Sequence, residues 1–253
     1  MSKVRPLSNK PLVEAILEIK WEIPQETGDP RYSLFVGRLY DRVQSDYPFH
    51  QELPASMMPP PVSNNLVQHR FRIAEEKWPL VQIGPGIVTL NDTENYIWSD
   101  FGDRAKRFVD AIYKAYPNTD LFKVTHINLR YIDAFDLEDE NMMIFLEEKL
   151  KTKILIPSAL FENNNVNSSP YSMGLNVMFT SNSPSANIQV KFNSGKHKEL
   201  PAIIMELGVY SNSQDVPNMP SEFSDWIESS HNLSDEWFFT FIEGELERKY
   251  SGE

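Results

Sequence analysis

Residues 18–20 read Glu-Ile-Lys, a glutamate and a lysine two positions apart in a stretch that alternates apolar and polar side chains. On a strand that spacing puts both groups on one face, where a nuclease holds a metal ion and its water. Such a site also needs a second acidic ligand from an earlier strand. Only 17 residues precede Glu18, they contain no Pro-Asp pair, and they leave no room for that strand. The pair reads instead as an exposed, charge-paired strand face, and no metal site follows from it.

Other chemistries fail on spacing. His50, His69, His126, His197 and His231 are scattered and form no H-x₃₋₅-H pair of the kind zinc sites use. Folding could bring His126 near Glu18, although a structural histidine is the simpler reading, as it is for His231. There is no G-x-S-x-G elbow for a serine nucleophile. Gly84-Pro85-Gly86 matches neither a phosphate loop nor a dinucleotide fingerprint, and it sits where a hairpin is expected. The carboxylates of 136–141 lack the glycine and closing glutamate of a calcium loop. No catalytic residue and no cofactor are assigned.

The elements that would position these side chains can be read from periodicity. Val13, Ala15, Leu17, Ile19, Trp21 and Ile23 point one way and Glu14, Glu18, Lys20 and Glu22 the other, which is a half-buried strand. A helix follows, with Tyr32, Phe35, Leu39, Val43 and Tyr47 on one side and Pro48 as its stop. The proline-rich loop Pro54–Pro61 comes next. Three strands are expected near 66–74, 78–83 and 86–91, and then a helix capped by Asp100 and ended by Pro117. A second pass repeats this order. It has a strand through Asn128, Arg130 and Tyr131, a short helix at 141–151, strands near 171–181, 186–193 and 200–210, and a helical stretch at 221–250.

The fold class is therefore α+β: two tandem strand-helix-three-strand-helix units, 9–118 and 119–250, or one continuous two-unit domain. Lys20 would correspond to Arg130, Trp21 to Tyr131 and Phe101 to Phe223. The antiparallel sheets would join edge to edge with helices on one face. The other face would present Glu14, Glu18, Lys20, Asn128 and Arg130 as a polar ligand-binding set. Trp237, Phe238 and Phe241 crowd the last helix on more than one side. They are either buried within the chain or the seam of a protein partner or homo-oligomer.

Composition narrows the partners. The 253-residue chain is 41% hydrophobic and 12% aromatic, which suits a globular fold. Its net charge is −12 and no basic stripe appears, which counts against nucleic acid. It has no cysteine, no leader-like apolar run and no stretch long enough to span a membrane, so a soluble, cytoplasmic protein is expected.

At Pro11–Ile19, Gln82–Asp92, Leu129–Asp133 and His231 with Trp237–Phe238, the chain resembles a sporadically distributed, uncharacterised bacterial protein family. That family's pattern is a P-L-V-E-A-I opening, a Q-I-G-P-G hairpin, an L-R-Y-I-N strand and a C-terminal helix with a histidine before an aromatic cluster. Asp133 stands where the pattern has asparagine. The resemblance carries no assigned activity. It implies an accessory gene product, for which defence or toxin control is a common role. The expected function is non-catalytic protein binding or regulation; the alternative is a small-ligand binder or enzyme using the polar sheet face.

Overall fold

The computed structural model describes residues 7–93 and 95–252. The first unit runs β1 (Leu12–Trp21), α1 (Tyr32–Val43), β2 (Phe49–Glu52), β3 (His69–Arg72), β4 (Leu80–Gly84), β5 (Ile87–Asp92) and α2 (Trp98–Ala115). The second runs β6 (Val124–Asp136), α3 (Met142–Glu148), β7 (Gly174–Asn182), β8 (Ser185–His197), β9 (Leu200–Asn212), α4 (Phe223–Ile242) and α5 (Glu245–Ser251).

All nine strands form one antiparallel sheet in the order β2-β3-β4-β5-β1-β6-β9-β8-β7. The first strand of each unit lies at the centre, and each is flanked outward by the last strand of its own unit. This is the same wiring twice, joined along β1 and β6. Glu18 pairs directly opposite Asn128 in that seam. These two are equivalent under the Lys20–Arg130 correspondence, so an approximate twofold axis passes between them.

The helices share one face because the apolar side chains of the strands do. Leu17, Ile19 and Trp21 are buried with Phe35 and Leu39 of α1 and Phe101, Phe108 and Ile112 of α2. Each such side chain contributes roughly 1.5–3 kcal/mol by leaving water. In the second unit Phe135, Ile188, Phe192 and Met205 pack with Phe145 of α3 and Phe239 and Ile242 of α4. The start of α4, with Phe223, Trp226 and Ile227, belongs to the first core and its end to the second. Among the described residues no helix is long and apolar enough to cross a membrane.

Several expectations need correction. The short strand β2 follows α1 in the first unit only. α1 ends at Val43, before Pro48, and β3 spans only His69–Arg72. Asp100 does not cap α2; it lies in the first turn and pairs with Arg104 at 2.6 Å. A register shift between Leu12 and Glu14 leaves Val13 exposed and sets Leu12 against the first core. The stretch 221–250 is two helices, because Gly244 sits at φ +101°, a conformation glycine adopts without strain and helices do not contain.

Candidate polar site on the open sheet face

Side chains that alternate with the buried set line the other face. Paired strand by strand, one row crosses all nine strands: Gln51, Arg70, Gln82, Thr89, Glu18, Asn128, Tyr210, Asn187 and Thr180. Every member is polar, and the row is centred on the Glu18–Asn128 pair. Antiparallel register produces this. The tight turn at Pro85-Gly86, with Gly86 at φ +81°, fixes Gln82 opposite Thr89, and the β1–β6 pairing does the rest.

A hollow of about 380 Å³ opens on the first unit's half of this face. Arg70, Arg72 and Arg130 line it together with Glu14, Glu18, Gln82, Asn91 and Trp78. A hydrogen-bonded chain runs along its floor. Arg70 Nε donates to Gln82 Oε1 at 2.8 Å, Gln82 Nε2 donates to Thr89 Oγ1 and Asn91 Oδ1 at 3.2 Å, and Asn91 Nδ2 donates to Glu14 Oε1 at 2.7 Å. Burial pushes the Glu14 carboxyl above its usual range, against the Asn91 hydrogen bond and the charges of Arg130 and Arg70.

Glu18 is held differently. Burial favours its neutral form. The hydrogen bonds and charges of His126, 3.4 Å away, and Lys20, at 2.9 Å, outweigh that and bring it down to about 2. Of the five side chains expected to converge, Glu14, Glu18 and Arg130 line the hollow. Lys20 reaches it only through Glu18, and Asn128 sits beside Glu18 with its Oδ1 buried and unpartnered. His126 does come to Glu18, as folding allowed.

Arg130 Nη1 lies 3.5 Å from Glu206, whose carboxylate also takes Lys191 at 2.8 Å. The guanidinium of Arg72 rests over the Trp78 ring at 5.8 Å and reaches the Lys77 carbonyl at 3.3 Å. The Nε atoms of Arg72 and Arg130 are both buried without a hydrogen-bond partner. A buried donor left unmade costs about 1–3 kcal/mol. Among the described residues no cysteine, serine or histidine lines the hollow. Among the described residues no three His, Asp or Glu side chains are placed to share a metal ion. Arginine side chains at such a place suit binding of an oxygen anion.

Arg70, Arg72, Gln82, Asn91 and Trp78 escaped the sequence reading. The alternation in His-Arg-Phe-Arg at 69–72 was the available signal, since it puts both arginines on one face. Trp237, Phe238 and Phe241 of α4 are partly buried. Trp237 meets Phe179 at 5.3 Å and Phe241 meets Phe192 at 5.5 Å, and Phe238 packs on the second core.

No protein-family model matches the chain, and no curated protein sequence matches it. Among solved structures a similar one is TBP of Methanococcus jannaschii, at 10% identity and a TM-score of 0.27, covering 86% of this chain and 97% of that chain. A likeness at that score carries no functional weight.

Proposed function

We propose that this protein is a non-catalytic binding protein whose open sheet face holds a small anionic ligand over Arg70, Arg72 and Arg130. The observation that carries this reading is the gathering of three arginines in one hollow of a chain with net charge −12, two of them with a buried Nε lacking an acceptor. The two carboxylates there do not cancel them, because Glu18 is matched by Lys20 and His126 and burial weakens the ionisation of Glu14. A phosphate or carboxylate could take paired N–H donors from Arg72 and Arg130.

Titration calorimetry with inorganic phosphate and with citrate tests it. Binding should weaken tenfold or more in Arg130→Gln and in Arg72→Gln, as loss of a charged hydrogen bond of about 1.5–3 kcal/mol implies, and should fall as salt rises. No heat with either anion, or unchanged affinity in both variants, would overturn it.

A second reading concerns a protein partner. β7 is an edge strand of nine residues with no charge and no proline, and it exposes Met178 and Phe179. Edges of that kind pair with other strands unless blunted. This favours strand addition by a partner or a second copy at an edge that adjoins α4, where Phe179 meets Trp237.

A further inference from the structure

A second cavity lies on the helix side of the sheet, where the two units meet, and its volume is about 760 Å³. Leu12 of β1, the start of α2, β6 and the middle of α4 line it, it opens to solvent on one side, and its wall is largely apolar, with Ile97, Trp98, Leu207 and Phe238. Besides Lys10, Ser99, Asn232, Ser234 and Asp235, its polar groups form two sets. Tyr96, Tyr131 and His231 satisfy one another, with hydroxyl to hydroxyl at 2.9 Å and Tyr131 hydroxyl to His231 Nδ1 at 3.0 Å. The His231 ring is stacked on Trp98 at 3.7 Å between centroids. Asp133 stands apart. It is 2% exposed, its cross-strand neighbours are Leu12 and Met205, and among the described residues its Oδ2 has no hydrogen-bond partner.

A buried carboxyl oxygen without a partner, in the wall of a cavity of ligand size, calls for an occupant. We infer that this cavity binds an uncharged, mainly apolar small molecule whose single oxygen acceptor is held by the Asp133 carboxyl.

The electrostatics agree with the geometry. Burial raises Asp133 to about 8, so at neutral pH it is a carboxylic acid with a proton to donate. His231 is lowered by burial to about 4 and presents a neutral ring. Lys10, on the segment before β1, donates to the Tyr96 carbonyl, and Asp235 on α4 also lines the cavity. Tyr131 on β6 and Tyr250 on α5 are the phenols that feel the Asp133 charge, and burial raises both. A cationic ligand would have to strip the proton from Asp133.

The test is titration calorimetry of the intact protein with octan-2-one, which can accept a hydrogen bond and cannot donate one. At pH 7 it should bind, and Asp133→Leu should weaken it about fivefold, the worth of one neutral hydrogen bond. Asp133→Asn should keep the affinity, since the amide N–H replaces the acid proton. The wild-type affinity should fall between pH 7 and pH 9.5 as Asp133 ionises, while Asp133→Asn stays flat. If Asp133→Leu does not fold, the pH comparison of wild type with Asp133→Asn decides. Absence of binding, equal affinity in Asp133→Leu, or a pH-independent wild type overturns the inference. None of these outcomes bears on the arginine hollow, which lies on the other face.

Discussion

Glu18 occupies the seam between the units, with Lys20 and His126 as its partners. Its folded carboxyl, at about 2, lies below the 4.5 of a free glutamate. The stabilisation this supplies is therefore present above pH 4.5 and is lost as the pH falls toward 2. Glu18→Gln is expected to lower stability at pH 7 on the order of 2 kcal/mol, with the gap to wild type closing by pH 2–3 in urea unfolding. The side of β1 on which Glu18 lies was legible, because strict alternation over residues 17–23 fixes it. That Arg70 and Gln82 share its hollow was not, because their proximity comes from hairpin register across more than fifty residues of chain. Asp133 is instructive in the same way. Alternation puts it on the buried side of β6, but its residue type does not tell that burial keeps the carboxyl neutral.

Strand β7 shows what an element's edge implies. Its outer backbone groups have no neighbouring strand in the sheet, and none of its side chains is charged. If a second copy pairs there, light scattering after size exclusion will give a mass above 29.3 kDa that rises with concentration, and Met178→Lys will return it to the monomer. A monomer at every concentration in both proteins removes self-pairing and leaves a foreign strand as the remaining occupant. Long strands and amphipathic helices were readable from their periods. β2 was not, because four residues after a turn are too few to display alternation. The break at Gly244 was missed for the opposite reason, since the apolar pattern continues through Leu246 while the backbone does not.

On the scale of the molecule, α4 buries its first half in one core and its second half in the other, and Trp226 Nε1 donates to Ser211 Oγ of β9 at 2.9 Å. The nine-stranded sheet has no break between the units. Both features join the units, and a single cooperative unfolding is the expected outcome. Tryptophan fluorescence and far-ultraviolet circular dichroism should therefore report a single, coincident urea transition; two separated transitions would mean that each unit folds on its own. The duplicated wiring was legible because each copy opens on the same kind of strand. The seam itself was only an inference from paired edges, since no single residue encodes which edge meets which.

Arg130 and Asp133 are three residues apart on β6 and face opposite sides of the sheet, one toward the arginine hollow and the other toward the apolar cavity. Leu12 and Glu14 on β1 divide in the same manner. The two chambers thus have a common partition a single backbone thick. Should a molecule in one chamber favour one geometry of this partition, thermodynamic reciprocity requires a ligand in the other to act back on it by the same factor.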